Sequence, residues 1–186
     1  MPFDPARHHR RSTRLQGYDY AEAGIYFVTL CTVDRECLFG EIIGESMQPS
    51  RAGDIVQEVW LRSPTLRSEI ALDAMVIMPN HLHGIVIIQT VGATGRSPLQ
   101  PVPGPAKRSL GALIAGFKAA TTKRINAWRG TPGSPVWQRN YYDRIIRDED
   151  ELWRIREYIA NNPAQWAVDR ENPVVVARRA PSRPGT

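Results

Sequence analysis

Two histidines separated by a single residue, His81 and His83, are the first residues in this chain whose spacing could do chemistry. They lie in the apolar, β-branched run 74–88, which is typical of a strand. Side chains alternate between the faces of a strand, so both imidazoles should project from the same face. Neutral imidazole nitrogen binds divalent metals well, and the pair is therefore a candidate metal site. The alternative is two polar residues on the wet face of a half-buried strand.

A second pair of side chains lies on the last predicted helix. Tyr158 and Asn162 are four residues apart and share one helical face. If this helix packs beside the sheet, the amide oxygen of Asn162 would complete a three-ligand site with the two histidines. Mixed nitrogen and oxygen ligation with open positions suits Mg²⁺ or Mn²⁺. The apolar stripe that would be buried next to this face consists of Leu152, Ile155 and Ile159.

A tyrosine beside such a metal can act as a nucleophile. Its hydroxyl can attack a phosphodiester and form a covalent phosphotyrosine, while the metal polarises the phosphate. A free phenol has a pKa of about 10 and needs activation, but the sequence does not identify the base. Alternatively, Tyr158 is an aromatic with a satisfied hydroxyl, and Asn162 before Pro163 is simply a helix stop.

The length and composition fit one globular domain. The chain has 186 residues, of which 42% are hydrophobic and 23% charged. Its apolar runs are too short for a bilayer span, and the N-terminus has no signal-peptide pattern, so no membrane partner is expected. Two cysteines, Cys31 and Cys37, form neither a disulfide framework nor a Cys-x-x-Cys pair, which favours a cytoplasmic location.

The charge pattern favours a nucleic-acid partner. Lys and Arg number 24 against 19 Asp and Glu, and they cluster near aromatic residues. An arginine-rich protein without such a partner is the alternative. The residues expected to contact DNA are Arg10, Arg11, Arg14, Lys118, Lys123, Arg124, Trp137, Arg139, Tyr141, Tyr142 and Arg144.

The order of elements predicts an α+β protein. We expect strands over 24–33, 70–78 and 81–89, a short partner strand over 38–43, and an extended stretch within 136–146. Helices are expected over 53–68, after a cap at Ser109, and between Asp148 and Pro163. The strands at 70–78 and 81–89 should form an antiparallel hairpin, with helices on one face of the sheet. The domain organisation is a basic arm 1–17, a catalytic domain 18–166 with a flexible loop 91–107, and a partly disordered tail 167–186.

The sequence resembles the REP-associated tyrosine transposases, which are single-tyrosine HUH transposases. HUH denotes two histidines around a hydrophobic residue, present here as His81-Leu82-His83 within Met-Pro-Asn-His-Leu-His-Gly. Further matching segments occur in the family's order and extend the resemblance over about residues 10–166. They are residues 17–20, 26–32, 116–120, 122–125, 136–147 and 157–166.

The resemblance implies a ferredoxin-like domain that uses Mg²⁺ or Mn²⁺ to cleave single-stranded DNA near hairpins, such as REP-like repeats. The enzyme would become linked to a 5′ phosphate and free a 3′ hydroxyl that can later rejoin. Carried over, His81 and His83 are metal ligands, Tyr158 is the nucleophile and Asn162 is the third ligand. Related enzymes use a longer glutamine at that last position. Such proteins act as monomers or homodimers.

Other interpretations fit the same residues. Tyr141 and Tyr142 compete for the nucleophile role, although their aromatic, basic surroundings better suit stacking on bases. A domesticated hairpin-DNA binder would keep the surface but not cut. A metal-dependent phosphoesterase would use water and form no protein–DNA adduct. The basic arm could dock the hairpin or be a solvated terminus.

Overall fold

A computed structural model of the protein describes residues 23–89 and 109–179. The predicted arm 1–17, the loop 91–107 and the last residues of the tail lie outside this part of the chain. Its elements are β1 (Gly24–Cys31), a 3₁₀ turn (Val33–Arg35), β2 (Gly40–Ile43), β3 (Ser46–Pro49), α1 (Arg51–Leu61), α2 (Ser63–Leu66), β4 (Ile70–Met78), β5 (His81–Ile88), α3 (Leu110–Arg129), β6 (Tyr142–Ile146), α4 (Glu149–Asn161), a 3₁₀ segment (Pro163–Val168) and α5 (Pro173–Arg179).

Four strands form one antiparallel sheet in the order β4-β5-β1-β6. The two central strands, β1 and β5, pair along their whole length, from Gly24 opposite Ile88 to Cys31 opposite His81. Helices α1 and α2 connect β1 to β4, and α3 connects β5 to β6, which is the ferredoxin-like arrangement. The α+β, ferredoxin-like prediction is confirmed, including the hairpin at Pro79-Asn80.

The larger core lies between the sheet and helices α1 and α3. Trp60 of α1 and Phe117 of α3 meet edge to face at 5.2 Å, and both are buried. The helices begin where the sequence provides caps, because Ser50 and Ser109 each accept a hydrogen bond from a backbone N–H three residues on. Gly84 of β5 leaves the room that the indole of Trp60 occupies, since a Cβ there would lie 2.5 Å from Trp60 Cζ2.

Helix α4 covers the opposite face of the sheet. Its Ile159 packs with Phe27, Ile85 and Ile146 in a second apolar cluster. The expectation that all helices lie on one face is therefore wrong. Both sides of β1 are apolar, with Phe27 on one face and Tyr26 and Val28 on the other, so the sheet is covered from both sides.

The predicted short strand exists, but it does not extend the main sheet. β2 pairs with β3 in a separate two-stranded ribbon that the sequence analysis did not anticipate. The turn between them contains Gly44 at φ +63°, a left-handed conformation that glycine adopts without strain. Within the described ranges, no helix combines the length and apolarity that crossing a membrane requires.

Gly84→Ala should lower the free energy of unfolding by about 1–3 kcal/mol, because the added methyl displaces Trp60 from the core. Chemical denaturation would measure the change. Gly116→Ala is the matched control, since it lies on the exposed side of α3 and its Cβ would meet only the end of Arg67 at 3.6 Å. That control should raise the unfolding free energy by about 0.5–1 kcal/mol. Equal effects at both glycines would contradict the packing argument.

Candidate active site

The two histidines project from β5 toward α4, on the same face as Ile85. Their side chains are almost fully buried, at 0% and 1% exposure. The Nε2 atoms of His81 and His83 lie 3.1 Å apart. Two ring nitrogens that share one octahedral metal at about 2.1 Å would lie roughly 3 Å apart, so this spacing fits a common ion.

Asn80 determines which nitrogen of His81 faces the site. The Nδ2 of Asn80 donates to two backbone carbonyls, those of Arg35 at 3.1 Å and Glu171 at 2.7 Å. Its Oδ1 must therefore be the atom that lies 2.9 Å from His81 Nδ1, and an amide oxygen only accepts. His81 Nδ1 carries the proton, which leaves the lone pair of Nε2 facing His83.

His83 is held by three neighbours. Its Nδ1 lies 2.8 Å from the hydroxyl of Thr29, and the ring of Phe27 stacks on it at 5.3 Å. The hydroxyl oxygen of Tyr158 lies 3.2 Å from His83 Nε2. A threonine hydroxyl can accept from Nδ1–H, and in that tautomer both Nε2 lone pairs face the same point.

Helix α4 is fixed by an ion pair that the sequence analysis missed. A bulge-like register shift between Leu72 and Met75 interrupts the pairing of β4 with β5, and Asp73 lies within it. The carboxylate of Asp73 accepts two hydrogen bonds from Arg156, at 2.9 and 2.6 Å. This bidentate contact attaches the helix to β4 two residues before Tyr158, in addition to the apolar packing of Ile159. A residue in a bulge does not follow the two-residue period of a strand, so the sequence spacing could not predict the ion pair between Asp73 and Arg156.

Asn162 lies at the C-terminal end of α4, next to His81 and Tyr158. It is 1% exposed, and its Oδ1 forms no hydrogen bond of good geometry with the described residues, although its side chain is close enough to His81 and Tyr158 to influence the pKa of each. A buried amide oxygen without a partner costs about 1–3 kcal/mol. The structure thus brings His81, His83, Tyr158 and Asn162 together, and the orphan oxygen fits a cation.

A carboxylate that sequence reasoning assigned to the tail also reaches the site. One ligand atom each from His81, His83 and Asp169 lies within 4.8 Å of the others. Asp169 follows the 3₁₀ segment after α4 and is 9% exposed. The sequence offers only a weak indication that Asp169 is a site residue, namely that Asp169 and Glu171 are the two acidic residues that follow Glu157.

Burial dominates the electrostatics of the site. It lowers the pKa of His81 to about 4, although the charges of Asp169 and Glu171 oppose this shift. Burial and then the neighbouring His81 lower the pKa of His83. Burial, followed by the charge of Asp169, raises the pKa of the Tyr158 hydroxyl. Both imidazoles are therefore uncharged at neutral pH, which is the form that binds metals.

An open cavity of about 400 Å³ borders these groups. It is lined by Tyr158, Asn162, Gln165, Val168, Asp169 and Arg170. Tyr158 is 37% exposed, so its hydroxyl lies between the buried histidines and this opening. The guanidinium of Arg170 adds a positive charge at the cavity, suited to a phosphate.

The expected DNA-contacting residues occupy several environments. Trp137 is 7% exposed and donates through Nε1 to Thr121 Oγ1 at 2.8 Å, so its indole is part of the core and unsuited to stacking on bases. Lys118 donates to the carbonyls of Gln138 and Asn140, and burial lowers its pKa to about 8. Only the small exposed part of Trp137, which lines the groove described below, could contact DNA, and that contact stays a prediction.

The remaining basic residues are closer to solvent. Arg124 pairs with Glu58 at 2.6 Å and Arg144 with Glu151 at 2.5 Å. Lys123 and Arg139 are exposed and line an open groove of about 790 Å³ between α3 and residues 130–139. Tyr141 is half-buried, with Lys118 5.7 Å from its ring, and Tyr142 is 39% exposed. Arg10, Arg11 and Arg14 lie outside the described residues.

Comparison with solved structures shows which class of fold this is. A REP-associated tyrosine transposase bound to a REP hairpin superposes with a TM-score of 0.55, at 16% sequence identity. The match covers 85% of this chain and 73% of that one. The protein therefore has the α+β fold of that transposase, with an antiparallel sheet that carries the His-x-His strand at its centre.

Comparison with curated sequences shows the family. An uncharacterized protein of Haemophilus influenzae is 43% identical over 170 residues, which cover 88% of this chain and 93% of the relative. This chain belongs to the family of that Haemophilus protein. No family model matches the sequence.

Asn80→Ala should destabilise the protein by about 2–3 kcal/mol, because it leaves two carbonyls and the His81 Nδ1–H without their buried partner. Urea denaturation would measure it. Asn140→Ala, which removes an exposed asparagine side chain, is the matched control and should change little. Similar losses of unfolding free energy in both variants would mean that the buried hydrogen bonds of Asn80 do not stabilise the fold.

Stability should fall as the pH drops from about 6.5 toward 4, because the unfolded chain takes up histidine protons that the folded chain excludes. The neutral, buried histidines contribute their full stabilisation above about pH 6.5, the pKa of histidine in the unfolded chain, and this stabilisation is lost as the pH falls below that value. Thermal melts across this range would measure it. His81→Gln removes one titrating group and should flatten the dependence; an unchanged slope would refute the assignment.

Proposed function

We propose that this protein is a metal-dependent, single-tyrosine transposase that cleaves and rejoins single-stranded DNA near hairpins. The observation that carries the proposal is the contact between the Tyr158 hydroxyl and His83 Nε2, with His81 Nε2 3.1 Å further on. A nucleophilic hydroxyl next to two facing, uncharged imidazoles is the arrangement that tyrosine-mediated phosphodiester transfer needs.

The chemistry assigns a role to each group. The Tyr158 oxygen attacks the phosphorus of a phosphodiester, and the bond from phosphorus to the 3′ oxygen breaks. The phenol gives up its proton and the departing 3′ oxygen takes one up, so no net proton is gained or lost. The products are a 5′-phosphotyrosine and a free 3′ hydroxyl. Attack by a 3′ hydroxyl on the phosphotyrosine reverses the reaction and rejoins or redirects the strand.

A divalent cation, Mg²⁺ or Mn²⁺, would be held by His81, His83 and Asn162. When bound, it supplies a Lewis acid that polarises the scissile phosphate and stabilises developing charge. The donor set supports this, since Asn162 Oδ1 is buried without a protein partner among the described residues. The raised pKa of Tyr158 keeps the phenol protonated until a positive charge is near.

The DNA partner is proposed from charge and from the similar structure. That transposase is bound to a REP hairpin, and a REP-like hairpin is the substrate we propose here. Lys123 and Arg139 provide exposed positive charge for its phosphates, and Arg170 for the scissile phosphate. Arg144 is also exposed, and a phosphate would have to compete with Glu151 for its guanidinium. A cytoplasmic location and action as a monomer or homodimer remain part of this proposal.

Two other functions make different predictions. A domesticated hairpin binder would hold DNA without forming any adduct. A phosphoesterase that uses water would turn over without a covalent intermediate and would not need the Tyr158 hydroxyl. The contact of that hydroxyl with His83 favours the tyrosine mechanism over both.

The decisive measurement is a covalent adduct assay with labelled single-stranded hairpin DNA and Mn²⁺. Tyr158→Phe should abolish the adduct, since it removes the attacking oxygen and keeps the ring. Tyr142→Phe is the matched control, because Tyr142 has similar exposure (39% against 37%) and also packs edge-on against Phe27. It should keep the adduct.

The outcomes separate the candidates. Loss of the adduct in the Tyr142 variant alone would transfer the nucleophile role to Tyr142. Cleavage without an adduct in both variants would indicate the water-using phosphoesterase. Binding without cleavage in the unmodified protein would indicate the domesticated binder.

Lys123→Ala combined with Arg139→Ala should weaken hairpin binding and reduce the slope of log K against log salt by about 1–2, because each phosphate contact contributes roughly 0.7–0.9. Fluorescence anisotropy at several salt concentrations would measure this. Arg62→Ala is a control that removes an exposed arginine at the end of α1. An identical slope in all three proteins would exclude the groove as the DNA surface.

A further inference from the structure

We infer that the carboxylate of Asp169 is a ligand of the same cation, so that the segment after α4 is part of the active site. This inference rests on the proposed function and deepens it. The sequence by itself predicts that residues 167–186 form a tail outside the catalytic domain and that Asn162 is the third ligand. The structure brings Asp169 to the two histidines as well.

The position of Asp169 is built by local hydrogen bonds. Its Oδ1 accepts from the backbone N–H of Glu171 at 2.7 Å, and its own N–H donates to the carbonyl of Trp166 at 3.2 Å. These bonds fix the orientation of the carboxylate and leave Oδ2 for another partner. Trp166 in turn lies beside His81, with the ring centroids 6.1 Å apart.

The segment is also attached to the strand that carries the histidines. Asn80 Nδ2 donates to the Glu171 carbonyl at 2.7 Å, and the Glu171 carboxylate pairs with Arg35 at 3.0 Å. The same Asn80 side chain fixes the tautomer of His81 through its Oδ1. One asparagine therefore positions a nitrogen ligand and the segment that carries the oxygen ligand.

The charge of the site explains why a divalent cation would need a carboxylate ligand. Two neutral imidazoles and one amide supply no negative charge, whereas Mg²⁺ and Mn²⁺ prefer carboxylate oxygen. Asp169 is only 9% exposed, and a buried carboxylate is costly unless a cation or hydrogen bonds compensate it. A divalent ion between Asp169 and the histidines would provide that compensation. With Asn162 retained, two octahedral positions remain for phosphate and water.

Titration calorimetry of the full chain with Mn²⁺ alone tests the inference. Asp169→Asn keeps an oxygen that can accept from the Glu171 N–H but removes the charge. Its Mn²⁺ affinity should fall by roughly 10-fold or more, since even outer-shell partners are worth that much. Glu157→Gln, an exposed acidic residue next to Tyr158, is the matched control and should bind Mn²⁺ like the unmodified protein.

A second variant separates ligation from a merely structural role. Asp169→Ser retains a hydroxyl that can form the same local turn, so it should fold and yet bind Mn²⁺ as weakly as the asparagine variant. The rise in melting temperature on adding Mn²⁺ gives an independent readout and should shrink in both variants.

The results distinguish this inference from the proposed function. If both Asp169 variants bind Mn²⁺ within twofold of the unmodified protein while His83→Ala loses binding, Asp169 is not a ligand and the proposed histidine site stands. If His81→Ala and His83→Ala also bind Mn²⁺ normally, the metal site of the proposed function itself fails.

Discussion

Two facing imidazole nitrogens at the buried end of the sheet impose the central constraint on this protein. Each Nε2 of His81 and His83 lies 3.1 Å from the other, away from water. Among the described residues, the Oδ1 of Asn162 is the acceptor of this site that is buried without a donor, and such a group costs about 1–3 kcal/mol. Native folds keep such unsatisfied sites chiefly where function requires them, and one divalent cation would satisfy all three atoms.

The rest of the fold supports this pair from several directions. The central strands hold both rings on one face, and Thr29 and Phe27 fix His83 from the neighbouring strand. The ion pair between Asp73 and Arg156 attaches α4 to the edge strand, outside the apolar cluster. No single helix or strand positions the site. Removing one of these contacts should therefore displace the side chains of the site before it unfolds the protein.

The sequence predicted the parts of the site that have a regular period. The two-residue spacing of His81 and His83 placed both on one face of a strand, and the four-residue spacing of Tyr158 and Asn162 placed both on one side of a helix. The α+β fold followed from the order of such elements and is confirmed. The roles assigned to these four residues stay proposals.

The parts that the sequence could not predict depend on tertiary packing. Asp169 follows a short 3₁₀ segment, and Asp73 lies in a bulge, so neither belongs to a periodic pattern. Trp137 lies in a basic, aromatic stretch that resembles a DNA surface, but its indole fills the core between Phe39 and Phe117. Aromatic residues in such stretches can either stack on bases or fill the core, and only the tertiary packing shows which role a given residue has.

The position of Asp169 connects the ionisation of Tyr158, the proposed nucleophile, with the proposed binding of the metal. Tyr158 and Tyr142 both approach Phe27, at 6.1 and 6.4 Å, but the hydroxyl that contacts His83 is that of Tyr158. Burial and the nearby Asp169 raise the pKa of this phenol, so the protein alone holds it protonated. A cation between Asp169 and the histidines would neutralise the carboxylate and favour the phenolate. The charge of Asp169, which adds to the effect of burial on the Tyr158 pKa, would therefore also help to hold that cation.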